Sequence, residues 1–218
     1  MSPLETELAL FARVPFRGQV KTRLEPLLGR DGAYAAHIEL VESTLSRLAC
    51  VPGCVTTLWL DDEPNSVALE WRDRFDIALA IQPAGDLGQR MMAALTGALA
   101  RGRASLVVGT DCPPIDAAYV RRSVALLKCH DVAFGPAEDG GYGLVGLAPN
   151  ALSADAGEWA PELFCGVRWG SSHALSDTLT NAIRAHLRIA LLPAIWDVDE
   201  PKDWLRHVAL HGRDRDSC

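Results

Sequence analysis

Hydrophobic positions along this chain follow two periods. Short apolar runs, bounded by Gly, Pro or acids, recur at Glu7–Ala12, Cys54–Leu60, Ile77–Gln82 and Ser105–Val108. Runs of about four to eight such residues, partly β-branched, read as buried strands. Between them, apolar residues three and four apart predict helices over Asp31–Ala49, Asn65–Phe75, Asp86–Ala100 and about Asp116–Lys128. Ala35, Ile38, Val41, Leu45 and Leu48 form the stripe of the first helix. Leu87, Met91, Leu95 and Leu99 form that of the third, with Asp86 as its N-cap and Met91-Met92 as core packing. Alternation of strand and helix predicts an α/β fold with a mostly parallel central sheet and helices on both faces.

The pattern changes after residue 130. Asp131–Phe134 and Tyr142–Leu147 read as strands around a tight turn at Gly140-Gly141. Two roles are open to that turn. It is a hairpin connection, or a surface where a sugar or nucleotide lies against the backbone beside Glu138 and Asp139. Pro149–Glu158 reads as a small-residue surface loop. A helix follows from about His173 to Arg184, begun near Ser172, and Ile189–Leu192 makes a late strand. If Trp196–Asp199 is extended, the period of two puts Asp197 and Asp199 on one face. Pro201 and Asp203 open a last helix, and the tail GRDRDSC is expected to fray. No repeat or linker divides the chain, so residues 1–218 are expected to form one domain, with 49% hydrophobic residues to fill its core.

A net charge of −7 argues against a nucleic-acid or anionic-membrane surface. No stretch approaches the ~20 apolar residues that span a bilayer. The opening MSPLETELALF carries acids and lacks the pattern of a signal peptide. The six cysteines show no zinc-ligand spacing; Cys50 and Cys54, around Pro52-Gly53, are the one pair placed for a disulfide. A reducing cytoplasm is the expected setting.

Two stretches carry candidate chemistry. In ASLVVGTDCPP (residues 104–114), Asp111 follows the carboxyl end of a buried strand, where ligands gather in open α/β sheets. It is placed to hold a divalent cation; capping the turn or the next helix is the other role open to it. RVPFRGQVKTR (residues 13–23) is a basic loop after the first strand. Gly18 permits close approach of backbone amides, and Lys21 and Arg23 supply donors suited to phosphate. The GxxxxGK[ST] spacing of a P-loop is absent.

VPFRGQVKTRL at 14–24, GDLGQRM at 85–91, GTDCPP at 109–114 and GPAEDGGYGLVGL at 135–147, with LFCGVRWGSS and DVDEPKDW, form a wider constellation. It resembles a bacterial family of small glycosyltransferase-A-like proteins, often assigned to arsenosugar biosynthesis. 2-Phospho-L-lactate guanylyltransferase and molybdenum-cofactor guanylyltransferase are more distantly similar.

The resemblance implies a nucleotide-diphospho-sugar transferase fold and a metal-dependent glycosyltransferase, with nucleotidyl transfer to a small phosphorylated acceptor as the alternative. Arg13, Gly18, Lys21 and Arg23 would border the nucleotide and its phosphates. Asp111 would match the metal-binding carboxylate of the DxD motif, reduced here to Thr-Asp-Cys, with Asp197 or Asp199 completing a Mg²⁺ or Mn²⁺ site. Asp139, Gly140, Gly141 and Tyr142 would line the sugar or acceptor side. A general base at the acceptor hydroxyl is expected from Asp139 or Glu138. The implied partners are a nucleotide or nucleotide sugar and a small-molecule acceptor.

Overall fold

Leu8 and Leu10 of the first strand, β1 (Thr6–Ala12), face one side of a sheet and Ala9 faces the other. The same alternation divides Leu106 and Val108 from Val107 in β4 (Ala104–Gly109). β2 (Cys54–Leu60), β3 (Ala78–Ile81), β5 (Val132–Pro136), β6 (Tyr142–Leu147) and β7 (Ile189–Leu191) complete the sheet, in the order β3-β2-β1-β4-β6-β5-β7. These are the seven strands that the pattern predicts, with small shifts at their ends. The computed structural model describes residues 6–152 and 162–215.

Only β6 runs against the others: it pairs antiparallel with both β4 and β5, and the remaining pairings are parallel. The turn at Gly140-Gly141 is therefore a hairpin connection, and the sheet is mixed. One consequence matters for the site. The carboxyl ends of β1, β4 and β5 and the start of β6 share one edge of the sheet.

On one face α1 (Glu25–Leu48), α2 (Ser66–Phe75) and α4 (Ala117–Leu126) press Val41, Leu45, Leu48, Trp71 and Val120 onto Leu8, Leu10, Leu58, Leu60 and Leu106. On the other, α3 (Leu87–Leu99) and α5 (Ala174–Arg184) bring Met91, Leu95, Leu99 and Ala182 onto Val107, Phe134, Val145 and Leu147. Full burial of each large aliphatic side chain is worth about 1.5–3 kcal/mol. A third cluster joins Leu24, Ala33, Ala36 and Leu40 to Trp196 and Val198. It seats the segment after β7 beside the basic loop, ahead of the last helix, α6 (Pro201–Arg215).

The expected cap at Asp86 forms, and Asp116 caps α4 as well. Asp86 accepts from the Gln89 amide in a reciprocal capping box, and Asp116 accepts from the Tyr119 amide at 2.7 Å. Ser172 does not start α5: that helix begins at Ala174 without a side-chain cap. α1 extends N-terminally past its apolar stripe, because Pro26 sits at its first turn and Gly29 (φ 69°) absorbs a break. α6 runs to Arg215, so most of the tail expected to fray is helical; the last three residues lie outside the described ones. The expected loop over residues 149–158 lies partly outside them too, and Pro149–Leu152 is a 3-10 turn. Cys50 and Cys54 are free thiols, not a disulfide.

Candidate active site

A cleft of about 870 Å³ opens at the shared strand edge. It gathers residues that are remote in sequence because six connections leave that edge: the loops after β1, β2, β3, β4 and β7, and the β5–β6 turn. Arg13, Lys21, Arg23, Asp111, Asp139, Gly141, Asp197 and Asp199 all line it.

Asp111 follows β4 directly. Its Oδ2 accepts from Lys21 Nζ at 2.8 Å, and the Cys112 thiol lies 3.7 Å from Oδ1. Burial alone would push the Asp111 carboxyl up; the charge and hydrogen bond of Lys21 outweigh it and hold the group below its usual range. Burial likewise opposes the Lys21 ammonium, yet Asp111, helped by Asp199 and Asp197, raises it. The backbone of Lys21 is left-handed (φ 46°), which sends its side chain inward, where it is one-tenth exposed.

Extended chain around Trp196–Asp199 delivers two more acids. Trp196 and Val198 point into the core while Asp197 and Asp199 face the cleft, as a period of two requires. The Val198 amide donates to the Asp111 carbonyl at 2.9 Å, and Ile195 bridges to Ala137. Asp199 pairs with Arg23 and lies 3.9 Å from Lys21 Nζ. Among the described residues Asp197 has no such ion pair. Burial, with the charges of Asp111 and Asp139, pushes its carboxyl up to about 6.

Three expected residues stand elsewhere. Glu138 points away from the cleft and pairs with Arg206 at 2.7 Å, an ion pair that lowers its carboxyl. Gly18 takes a left-handed turn (φ 75°) beneath the Arg30 guanidinium, outside the cleft lining. Gly140 (φ 90°) is required by packing, since a Cβ there would run into the Ser172 carbonyl. Gly141 lines the cleft, and its amide donates to Asp139 Oδ1 at 2.8 Å.

Further residues line the cleft whose individual roles the sequence does not assign, although Arg90 and Trp169 lie within the GDLGQRM and LFCGVRWGSS stretches. Asp61 accepts from the Val14 amide at 2.7 Å and so fixes the start of the basic loop. Buried His37 contacts the Arg13 carbonyl at 3.0 Å. Gln82, Arg90 and Trp169 form the opposite wall with the first turn of α3. Arg90 had a legible signal: a cation in a helix's first turn opposes the helix dipole. Its Nε donates to the Gly85 carbonyl at 3.0 Å, and among the described residues it has no carboxylate partner.

A mixed sheet of this order, covered on both faces and bearing a charged cleft at its strand ends, is the Rossmann-like fold of nucleotidyltransferases and nucleotide-diphospho-sugar transferases. A candidate nucleotide-diphospho-sugar transferase from Desulfovibrio desulfuricans G20 is 28% identical, with a TM-score of 0.84 over 98% of this chain and 90% of that one. A 4-diphosphocytidyl-2C-methyl-D-erythritol synthase from Anaerococcus prevotii is 8% identical, with a TM-score of 0.65 over 96% and 97%. A cytidylyltransferase from Leptospira borgpetersenii is 14% identical, with a TM-score of 0.58 over 92% and 84%. The chain belongs to DUF2064, described as an uncharacterized protein conserved in bacteria, whose family model matches residues 44–171. No curated protein sequence matches it. No helix among the described residues is long and apolar enough to cross a membrane.

Proposed function

We propose that the protein is a metal-dependent glycosyltransferase that uses a nucleotide-diphosphate sugar donor and a small-molecule acceptor. The observation that carries this reading is Asp111 at the end of β4, held by Lys21 and flanked by Asp197 within one cleft.

The residues fit Mg²⁺ or Mn²⁺. Carboxylate oxygens are hard donors, and the raised Asp197 carboxyl marks negative charge that the chain leaves uncompensated. Among the described residues, no group of three or more His, Cys, Asp or Glu is gathered closely enough to hold a metal by itself. Mg²⁺ commonly takes one or two carboxylates, with phosphates and water filling the rest, so Asp111 and Asp197 suffice as its protein ligands. When bound, the cation neutralises charge that develops on a leaving diphosphate.

Lys21, Arg23 and Arg13 bind phosphate oxygens and supply preorganised positive charge. Asp139, oriented through the Gly141 amide, takes the proton of the acceptor hydroxyl as that oxygen attacks. Gly18 lies outside the cleft, so the loop offers its positive charge on side chains rather than as a glycine-rich cradle of amides. That suits a diphosphate better than a triphosphate. The five free thiols among the described residues suit a reducing cytoplasm.

Nucleotidyl transfer, as in the guanylyltransferases, is a second reading, favoured by Arg13 and Arg90. Both line the cleft without a carboxylate partner among the described residues, and two further cations would help seat a triphosphate. The test incubates the protein with Mg²⁺ or Mn²⁺ and separate pools of nucleotide sugars and nucleoside triphosphates. Arsenosugar precursors and phosphorylated small molecules serve as acceptors. Release of nucleoside diphosphate from a sugar pool is expected. Acceptor-dependent pyrophosphate from a triphosphate, with no turnover of any nucleotide sugar, overturns the glycosyltransferase reading.

A further inference from the structure

We propose that Lys21 is an internal counter-ion that occupies the cation's place on Asp111 in the free protein and yields it when the donor diphosphate arrives. This inference rests on the metal-dependent reading of the cleft and adds a coupling between its two ligands.

Both oxygens of Asp111 are engaged from within the chain: Oδ2 by the ammonium at 2.8 Å, and Oδ1 by the Cys112 thiol at 3.7 Å. A divalent cation arriving alone therefore meets an occupied carboxylate. It would share Asp111 with an ammonium whose nearest other carboxylate, Asp199, lies 3.9 Å away and is already paired with Arg23. The ion-paired set, Asp111 and Asp199 with Lys21 and Arg23, is already neutral. Adding a divalent ion turns the set positive, and two cations on one carboxylate repel each other.

A diphosphate removes the conflict. Its oxygens give the ammonium a new partner, so Lys21 can leave Oδ2 without losing charge compensation. Its own negative charge also balances the incoming ion. The side chain is suited to the exchange, since a flexible four-carbon stem carries a point charge with rotatable donors. Its backbone is in the left-handed region that non-glycine residues seldom adopt, between the basic loop and the 3-10 turn Thr22–Leu24. That geometry aims the ammonium at Asp111. Cation and diphosphate therefore bind with positive coupling, each weak without the other.

The test measures Mn²⁺ binding by electron paramagnetic resonance and nucleoside diphosphate (UDP, GDP) binding in EDTA by calorimetry. The proteins compared are the parent, Lys21→Met and Lys21→Gln. Gln keeps a hydrogen-bond donor without charge, and it reads the effect if the Met variant does not fold. Arg206→Met, which deletes a charge outside the cleft, controls for net charge. Removing the ammonium is expected to tighten Mn²⁺ binding without nucleotide by about tenfold, within the usual range of coupling between sites. It is expected to weaken metal-free nucleotide binding. Opposite signs cannot come from a general loss of structure. If parent and Lys21 variants bind Mn²⁺ equally, or the Arg206 variant gains as much, the inference is overturned while the metal reading stands. If none binds Mn²⁺, with or without nucleotide, the metal reading falls and takes the inference with it.

Discussion

The Val198 amide donates to the carbonyl of Asp111 at 2.9 Å, so the backbone of one acid-bearing segment is tied to that of the other. Val198 itself is fully buried in the cluster with Leu24 and Trp196. Val198→Pro removes the donor; the lost hydrogen bond alone costs about 0.5–1.5 kcal/mol. The expected outcome is a lower melting temperature, together with weaker Mn²⁺ binding in the presence of nucleoside diphosphate. Unchanged Mn²⁺ binding in a folded variant would show that this tie does not position Asp197.

Asp197 makes the cleft sensitive to pH. Its carboxyl is raised to about 6 in the folded chain, against about 3.9 for an unfolded Asp. The folded state therefore binds the extra proton between those values. Its stability contribution falls as pH rises through that window, and the penalty is fully present above about pH 6. Asp197→Asn should raise the melting temperature more at about pH 8 than at about pH 4.5. Cation binding by the parent should weaken below about pH 6, as protons compete for the ligand. A melting-temperature gain independent of pH contradicts this assignment.

Glu138 and Asp139 are adjacent in sequence and differ in surroundings. Asp139→Asn keeps an oxygen for the Gly141 amide and loses only the base, so kcat should fall by about 10²–10⁴ with the fold intact. Glu138→Gln loosens an exposed pair with Arg206, of little weight in water, and should leave kcat unchanged. Steady-state kinetics with the donor and acceptor identified by the turnover screen distinguishes the two. A larger loss in the Gln variant would reverse their roles.

Gly88, in the first turn of α3, packs against Phe164 and Trp169. Ala within a helix is ordinarily favoured over Gly by about 1 kcal/mol. Here the added Cβ would stand 2.7 Å from Phe164 Cβ and 2.8 Å from Trp169 Cζ2. Overpacking costs about 1–3 kcal/mol, and a Cβ fixed to its backbone on one side with a ring on the other leaves little room to yield. Gly88→Ala is therefore expected to lower stability in chemical denaturation. A stabilised variant would mean that Trp169 moves freely.

The sheet was legible because each strand is a short apolar run and each helix carries a stripe; β2 and β6 have the bounds that the pattern predicts. Asp111, Lys21 and the period that turns Asp197 and Asp199 to one side were legible for a similar reason, since each follows from position relative to a strand. Glu138 was not, because a carboxylate beside a glycine turn reads alike whether it faces the cleft or Arg206. Gly140 was ambiguous in the same way: the Ser172 backbone that demands a glycine there comes from a segment remote in sequence. Arg90 and Trp169 sit on a wall formed where α3 meets the chain before α5. Periodicity along one element carries no information about such a meeting.

The dispersal of the acids along the chain also bears on its synthesis. Polypeptides emerge N-terminus first, at about 5–20 residues per second. When β1 to β6 have left the ribosome, Lys21 and Asp111 can already pair, whereas Asp197 and Asp199 have yet to be made. The Asp111 carboxylate at the end of β4 can thus be neutralised by its own chain before the later acids exist. On the metal-dependent reading proposed above, the acids that would complete the cation site join it late, when the segment after β7 folds back beside Asp111.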